Sequence, residues 1–367
     1  MLNTIPPFRA DHVGSLLRPV ALKLAREKRQ KGEIDAAALR AVEDREIDRV
    51  IKMQEDVGLN SITDGEFRRS WWHLDFLWGL DGAERHVMDT GVAFAAVTTR
   101  NEGVRVTGRL GFSDHPMIEH YKYVAQRTKR MPKFTIPAPS AIYGRPNKTP
   151  IDKSVYPTMD RFFDDLGQAY RKAVRAFADA GCRYLQLDEV YIAMLCDLKY
   201  RQQMKDRGDD PEALGNIYAD LINTAMSDVP RDMRITMHLC RGNYKSTFMG
   251  TGGYDAVQEL LFGKIKVHGF FMEYDDERAG GFEPLRHVPK DRKVVLGLIT
   301  TKSGELENRD TIRRRIDAAS KYVSLDQLCL SPQCGFASTE EGNVLTEDQQ
   351  WAKLDMIVSL SHEIWGK

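Results

Sequence analysis

A histidine and a cysteine stand two positions apart at the end of a β-rich run. The stretch ITMHLCRGNY, residues 235–244, carries His238 and Cys240 and then breaks into a polar, glycine-containing sequence. Alternate side chains of a strand share a face, so the imidazole and the thiol are predicted to point the same way. The pair could bind a metal ion, or it could be two ordinary buried side chains.

Two further candidate ligands follow at the ends of later β-rich runs. Glu273 interrupts the apolar run 269–272, where a carboxylate is costly unless it is paired or bound to a metal. Cys334 lies where another run turns into a loop. Thiolates and imidazole favour zinc, which also accepts a carboxylate, so a zinc site is predicted. The candidate ligands are His238, Cys240, Glu273 and Cys334, whereas Cys182, Cys196 and Cys329 are predicted to be packing thiols.

Acidic side chains collect at other strand ends. Asp64-Gly65-Glu66 could be only a turn, and the DEV sequence at 188–190 could cap the following helix. Their shared location at strand ends instead favours a lining for a positively charged small-molecule group. The remaining histidines, His73 and His86 among them, have no ligand spacing and are predicted to lie on the surface or in loops.

The elements that must position these residues alternate between β-rich runs and amphipathic helical stretches. Such alternation predicts parallel strands joined by helical crossovers. Eight units fit an α/β fold of the (β/α)8 TIM-barrel type, whose active sites lie at the C-terminal ends of the strands; an open doubly wound sheet is the competing architecture. The predicted strands are 8–15, 60–67, 133–140, 183–190, 234–241, 268–275, 293–300 and 326–333, and helical patterns cover 35–58, 160–181, 214–229 and 311–323.

One segment breaks this rhythm. From 84 to 112, the stretches 92–100 and 104–112 flank Asn101-Glu102-Gly103, which predicts a β-hairpin inserted after the second strand. The hairpin could cover the barrel mouth or form a subunit contact, so a homo-oligomer is one of the two alternatives. Because no linker, repeat or low-complexity run appears, residues 1–367 are predicted to form a single domain.

Composition excludes several classes of protein. The 53 Lys and Arg residues balance 53 Asp and Glu residues, so neither a nucleic acid nor a membrane surface is predicted as a partner. No long apolar run could span a membrane, and the N-terminal sequence has charges and two prolines where a signal peptide has an apolar core. Five cysteines do not indicate a disulfide framework. A cytoplasmic protein is predicted.

Several motifs, ordered along nearly the whole chain, resemble the catalytic domain of cobalamin-independent methionine synthases. The chain resembles still more closely the stand-alone members of this group, which share ADHVGSLLRP near the start and HxCRGN at the metal. They include methionine-synthase-like proteins and epoxyalkane:coenzyme M transferase. The motifs are HLC at 238–240, Glu273 and SPQCGF at 331–336 for the zinc site, LQLDE at 185–189 for the substrate-binding strand, and HVGS at 12–15 and DGEFRRSWW at 64–72 for the first two strand ends.

The resemblance implies a zinc-dependent transfer of a methyl group to the thiol of homocysteine, which gives methionine. The donor would be 5-methyltetrahydrofolate or another methyl carrier. By resemblance, His238, Cys240, Glu273 and Cys334 hold the zinc ion. By the same resemblance, Ser15, Glu66 and Asp188 bind the amino acid part of homocysteine, and His12 is assigned to the same substrate-binding group.

One departure leaves the donor open. The folate-dependent members carry a histidine at the end of the seventh strand as proton donor to the pterin, whereas 296–307 has none and places Thr301 and Lys302 there.

Two alternatives therefore remain beside the methionine synthase. In a zinc-dependent thiol alkyltransferase, Arg241, Lys245 or Lys302 could bind an anionic thiol, although Glu66 and Asp188 suit an amino-acid thiol better. The other alternative is a barrel with a purely structural zinc ion and a binding role. The carboxylate ligand argues against it, because structural zinc sites more often use sulfur and histidine only.

Overall fold

A parallel sheet of seven strands forms the centre of the α/β fold. The computed structural model describes residues 5–366. The order of the strands in this sheet is β1-β4-β5-β6-β7-β8-β9, and β2 and β3 form a separate antiparallel pair. The strands are β1 Ser61–Ile62, β2 Asp81–Val87, β3 Glu102–Gly111, β4 Met131–Pro137, β5 Tyr184–Glu189, β6 Arg234–Leu239, β7 Gly269–Glu273, β8 Lys293–Ile299 and β9 Leu328–Pro332.

Helices follow the strands and pack against the sheet, as the alternating pattern predicts. In the helix from Met159 to Asp179, Phe162, Leu166, Tyr170 and Phe177 form one buried face, with the spacing of an amphipathic helix. None of the helices in residues 5–366 is long and apolar enough to cross a bilayer. The helices are α1 Val20–Gln30, α2 Ala36–Val57, α3 Leu74–Leu77, α4 Pro116–Ala125, α5 Met159–Asp179, α6 Tyr191–Met194, α7 Leu198–Asp206, α8 Pro211–Ala225, α9 Arg309–Ser320 and α10 Glu347–Trp365.

The first predicted strand, 8–15, does not form a strand of the sheet. It makes one parallel bridge, between Ala10 and Leu330 of β9, and the other seven predicted strands each overlap a strand of the sheet. Side chains occupy the carbonyl groups that a further ladder would need. Gln186 donates to the carbonyl of Val13 at 2.7 Å, and Thr63 donates to that of Gly14 at 2.7 Å. The count of eight strands is therefore not reached, because side-chain hydrogen bonds replace the ladder here.

The antiparallel pair differs in its bounds from the predicted hairpin. Glu102 and Gly103, predicted as the turn, belong to β3 and pair with Val87 and His86 of β2. The stretch 92–100, predicted as the first strand, lies in the connection 88–101. Because β2 is polar and largely exposed on both faces, no alternation of apolar residues marks it in the sequence.

A buried aspartate ties the N-terminal segment to three strands. Asp11 accepts hydrogen bonds from the hydroxyl groups of Ser61 and Tyr184, both at 2.8 Å, and its carboxylate lies 3.2 Å from the ammonium group of Lys133. The side chains of Asp11 and Lys133 are fully buried. The pair fixes the path of the segment that delivers Ser15 to the C-terminal edge of the sheet.

We expect Asp11→Asn to lower the free energy of unfolding by about 3–5 kcal/mol, because it leaves the Lys133 ammonium buried without an anion. Urea denaturation followed by circular dichroism measures this change. The matched control is Asp326→Asn, whose side chain is 93% exposed in its pair with Arg9 and should contribute less than about 1 kcal/mol. Equal effects of the two substitutions would contradict the structural role of the buried pair.

Candidate metal centre and substrate pocket

Four side chains that could bind one metal ion meet at the C-terminal edge of the sheet. His238 lies on β6, Cys240 directly follows that strand, Glu273 ends β7 and Cys334 follows β9. One candidate ligand atom from each residue lies within 4.8 Å of the other three, and all four residues are buried. The structure therefore brings together the complete set of candidate ligands that the sequence predicts.

Polar atoms of this cluster lack the hydrogen bonds that buried groups normally make. Among residues 5–366, neither ring nitrogen of His238 meets the geometry of a hydrogen bond, and neither does Oε2 of Glu273. The Sγ atoms of Cys240 and Cys334 lie 3.6 Å apart. Buried polar atoms without hydrogen-bond partners are rare in folded proteins, so the lone pairs of these atoms are available to bind a metal ion.

Neighbouring backbone groups hold two of the candidate ligands in place. The N–H of Arg241 donates to Oε1 of Glu273 at 2.8 Å, and the N–H of Gly242 donates to the Sγ atom of Cys240 at 3.3 Å. Gly242 has a φ of +89°, and a Cβ atom there would lie 2.8 Å from the side chain of Met249. The glycine that ends the HLCRG sequence is therefore needed for this turn.

Burial and mutual contact set the protonation of the cluster. Burial raises the pKa of Glu273 to about 7. A hydrogen bond with Cys240 lowers the pKa of Cys334 well below its usual value, and the same bond raises the pKa of Cys240. Burial opposes the charged form of His238, but the Cys334 thiolate beside it outweighs burial and raises its pKa. The cluster thus favours a thiolate at Cys334, as a cation-binding group requires.

A pocket next to the cluster is lined by three of the four predicted substrate-binding residues, Ser15, Glu66 and Asp188. Burial raises the pKa of Asp188 to about 7, and Glu66 adds to the rise. Burial also raises the pKa of Glu66, whose Oε1 accepts a hydrogen bond from Thr135 at 2.8 Å. Glu66 already lies 3.4 Å from the guanidinium of Arg69, whereas Asp188 forms no ion pair among residues 5–366, so Asp188 is the carboxyl group better suited to a cationic ligand group.

The fourth predicted residue, His12, lies outside the pocket. Its Nε2 atom faces the carbonyl oxygen of Ser61 at 3.2 Å, and burial lowers its pKa to about 4. Val13 and Ser15, one and three positions further along the extended segment, line the pocket instead. Successive side chains of an extended backbone point in opposite directions, so His12 faces the interior.

The acidic motifs combine the two roles that the sequence left open. Asp64 does form a turn, since its Oδ1 accepts a hydrogen bond from the N–H of Glu66 at 2.8 Å. Glu189 does cap α6, accepting from the N–H groups of Tyr191 and Ile192 at 2.7 and 2.9 Å. In each motif the other carboxylate, Glu66 or Asp188, reaches the pocket.

Aromatic side chains close the pocket on the side away from the sheet. The rings of Trp71 and Tyr244 stack at 6.4 Å with an 8° angle between their planes, and Phe94 packs on Tyr244 at 5.6 Å. Val92, Phe94 and Thr99 belong to the connection between β2 and β3, which therefore forms part of the pocket wall. Periodicity could not identify this wall, because its rings come from three loops that are distant in sequence.

A buried cation and a buried histidine complete the lining, and neither was predicted to do so. Arg145 follows the turn after β4, and its Nη1 donates to Nε2 of His73 at 2.7 Å. His73, predicted as a surface or loop residue, is buried and lines the pocket beside Arg145. Its position directly after Trp71 and Trp72 was the available signal.

Removal of the buried Glu189 carboxyl group should change how stability depends on pH. Burial raises its pKa to about 7 in the folded protein, against about 4.3 for an unfolded chain. Its contribution is therefore fully present below pH 4.3 and is lost as the pH rises through 7. When the pH is raised from 4 to 8, we expect the free energy of unfolding of Glu189→Gln to rise by about 3 kcal/mol relative to that of the unsubstituted protein. This value follows from 1.36 kcal/mol per pKa unit.

Urea denaturation of the metal-free protein at both pH values checks this expectation. Glu119→Gln is the control, because that carboxylate is 69% exposed in its ion pair with Lys122. A stability difference between Glu189→Gln and the unsubstituted protein that stays constant with pH would contradict the raised pKa.

Comparison with known proteins supports the common ancestry of this arrangement. The chain is 50% identical over 361 residues to the uncharacterized protein YxjH of Bacillus subtilis (strain 168), covering 98% of this chain and 95% of that protein. It is also 22% identical over 364 residues to the 5-methyltetrahydropteroyltriglutamate–homocysteine methyltransferase of Listeria innocua, where it spans 44% of that enzyme's length.

A solved structure and a family match agree with these relatives. The fold matches a Listeria monocytogenes protein, assigned provisionally as a vitamin-B12-independent methionine synthase, with a TM-score of 0.80 and 42% identity over 100% of both chains. Residues 8–352 match the family described as "Cobalamin-independent synthase, Catalytic domain". The chain therefore belongs to the family of cobalamin-independent synthase catalytic domains.

Proposed function

We propose that the protein is a zinc-dependent methyltransferase that transfers a methyl group to the thiol of homocysteine and so produces methionine. One observation carries the proposal: a buried His-Cys-Glu-Cys cluster lies beside a pocket with an acidic wall. The name of the Listeria innocua relative, a homocysteine methyltransferase, supports the same chemistry. We also propose that residues 1–367 act as one cytoplasmic catalytic domain, with 9–11 in the place of an eighth barrel strand; residues 1–4 and 367 lie outside the described part.

His238, Cys240, Glu273 and Cys334 would hold the zinc ion. Their donor set fits zinc, because thiolate and imidazole dominate it and the carboxylate is an accepted weaker ligand. When bound, zinc supplies the positive charge that keeps a thiol deprotonated and nucleophilic at neutral pH. Glu273 is the hardest ligand of the set. Its carboxylate also has two partners in the protein, the N–H of Arg241 at 2.8 Å and the guanidinium of Arg278 at 3.7 Å.

The acidic wall would bind the ammonium group of homocysteine. Glu66 and Asp188 provide carboxylates that burial has stripped of water, and a charge-assisted hydrogen bond to an ammonium group offsets that cost. Ser15, which lies on the segment that Asp11 anchors, would hold another part of the amino acid. Fixing both ends of the amino acid directs its sulfur to the zinc ligands, which is the positional part of catalysis.

The aromatic wall would exclude water from the reacting thiol. Trp71, Phe94 and Tyr244 cover the pocket. The N–H of Ala95 donates to the carbonyl of Phe248 at 3.0 Å, which ties the connection between β2 and β3 to the loop after β6. An enclosed apolar surrounding strengthens the electrostatic interactions inside it.

The methyl donor is 5-methyltetrahydrofolate or another carrier. A thiol alkyltransferase of the epoxyalkane:coenzyme M type is the second candidate, favoured by the absence of a histidine from 296–307. The residues predicted to bind an anionic thiol in that case do not line the pocket. Arg241 instead donates to the carbonyl groups of Gly252 and Arg278, and Lys302 lies 4.0 Å from Asp275. We place homocysteine first because Asp188 in the pocket wall suits the ammonium group of an amino-acid thiol. We propose no oligomeric state beyond the homo-oligomer that the sequence leaves open.

Metal analysis tests the zinc site directly. We expect about one zinc ion per chain and, for Cys240→Ser and Cys334→Ser, an affinity lowered by more than the ~10–100-fold that loss of a mere outer-shell partner costs. Cys182→Ser is the control, since this buried thiol faces the carbonyl of Tyr184 at 3.4 Å and is no part of the cluster. Full zinc retention in both cluster variants would remove the proposed metal site.

Binding of two related thiols tests the acidic wall. Asp188→Asn should weaken homocysteine binding about 10–100-fold, since one charge-assisted hydrogen bond is lost. The same substitution should leave 4-mercaptobutanoate unaffected, because this thiol has no ammonium group. Titration calorimetry of the zinc-loaded protein measures both affinities. An equal loss for the two thiols, or no loss for either, would contradict an ammonium-binding role of Asp188.

Incubation of homocysteine with a series of methyl donors tests the reaction itself. Methionine formation with a methylfolate, detected by mass spectrometry, is the expected outcome for a folate-dependent enzyme, whereas formation with a different carrier would identify that carrier. Should no donor yield methionine while an epoxide alkylates a thiol, the second candidate would replace the first.

A further inference from the structure

Arg145 is a buried cation in the pocket wall that forms no ion pair with any carboxylate among residues 5–366. The residue is 3% exposed and lines the pocket. Its guanidinium donates to Nε2 of His73 at 2.7 Å and to the carbonyl oxygen of Glu102 at 3.2 Å. Both acceptors are neutral, and no carboxylate in the described part of the chain forms an ion pair with it. Buried arginine is rare without an acidic partner, because desolvation of an unpaired charge is expensive.

His73 adds an unused donor to the same spot. Since Nε2 accepts a hydrogen bond from Arg145, the proton of the neutral ring resides on Nδ1. Within residues 5–366, this Nδ1 is buried without a hydrogen-bond partner. Burial and the neighbouring guanidinium both lower the pKa of His73 well below its usual value, so the ring stays neutral and keeps this arrangement. A cation and a spare N–H donor therefore stand together at one place in the wall.

The acidic wall does not compensate this cation. Burial lowers the pKa of Arg145, and Tyr191 is the one ionisable group that offsets this effect. Neither Glu66 nor Asp188 forms an ion pair with the guanidinium: Glu66 lies 3.4 Å from Arg69, and Asp188 accepts a hydrogen bond from Gln186 at 2.7 Å. Arg145, Tyr191 and Cys240 line the same pocket. Arg145 is therefore available to a ligand group other than an ammonium group held by Glu66 and Asp188.

We propose that Arg145, positioned by His73, binds an anionic group of the second substrate, the alkyl donor. The planar fork of a guanidinium matches the oxygens of a carboxylate, a sulfonate or a phosphate ester, and its charge is compensated when the donor enters. The inference rests on the proposed function, since it takes the pocket to be the place where a thiol meets a donor. It adds a property of that donor, an anionic group that lies in the same pocket as the candidate metal ligands.

Small probe anions test the proposal without knowledge of the donor. Butyrate, propanesulfonate and propyl phosphate are titrated, with butyramide as the neutral reference, into zinc-loaded protein saturated with homocysteine. Quenching of Trp71 and Trp72, both in the pocket wall, reports binding. We expect at least one anion to bind about 10–100-fold more tightly than butyramide, the effect of a charge-assisted hydrogen bond. If no anion binds better than butyramide, the proposal is overturned.

Variants locate the effect at the guanidinium. Arg145→Met should abolish the preference for the anion, whereas Arg145→Lys should keep the charge but lose the fork, with reduced affinity and the preference retained. The matched control is Arg105→Met, because Arg105 lies on β3 in a half-exposed pair with Glu84. Circular dichroism and zinc content confirm folding, and if Arg145→Met does not fold, Arg145→Lys decides. Unchanged anion binding in the folded variant would refute the assignment.

Competition separates this proposal from the proposed function. An anion that binds together with homocysteine supports a donor site, whereas an anion that displaces homocysteine would assign Arg145 to the carboxylate of the amino acid and overturn the donor assignment. If the protein binds neither zinc nor homocysteine, the proposed function fails. The Arg145-dependent preference for anions, measured without the thiol, is then still decided by the same variants.

Discussion

Removal of ionisable side chains from water governs the whole C-terminal edge of the sheet. A carboxylate, thiolate or guanidinium that is buried without a partner costs several kcal/mol, and proteins normally avoid it by pairing or by a shift in pKa. Here the carboxyl groups of Asp188 and Glu273 have pKa values raised to about 7, and Arg145 has only neutral partners. The edge is thus incompletely compensated at three places, since the ion-pair partner of Glu273 within residues 5–366 is Arg278 at 3.7 Å.

The fold can maintain such an edge because the rest of the barrel-like sheet is well compensated. At its centre, Asp11 and Lys133 neutralise each other, and hydroxyl groups from β1 and β5 satisfy the remaining carboxylate oxygen sites. Hydrogen bonds from Gln186 to Asp188 and from Thr135 to Glu66 hold the acidic wall in one orientation. Groups that do not themselves contact a ligand thus hold the side chains of the site in place, which is the general condition for a preorganised site.

Local chemistry explains which parts could be predicted from the sequence. The four candidate metal ligands were identified because each lies at the end of an apolar run, where residue type and strand position are both legible. The bounds of α2 and α5 followed to within two residues from amphipathic spacing and from the left-handed glycines Gly58 and Gly181, whereas those of α8 and α9 lie up to four residues from the predicted ones.

Features that depend on contacts between distant residues could not be predicted. Segment 8–15 has the composition of a strand, yet side chains from β5 and from the loop after β1 take the hydrogen bonds of its ladder. The polar strand β2 carries no periodic signal at all. Arg145 resembles any arginine of a polar loop until the structure places it beside His73, without an ion pair to any described carboxylate.

The positions of the three incompletely compensated places explain how one pocket could orient two substrates. Under the proposed function, the acidic wall would hold an ammonium group, a metal ion in the cluster would hold a thiolate, and Arg145 would hold an anion. An anionic donor placed at the acidic wall would set like charges against each other, which disfavours the reversed arrangement. Charge complementarity would thus order the groups along the pocket, with the sulfur next to the transferred carbon, and would align the two molecules for reaction.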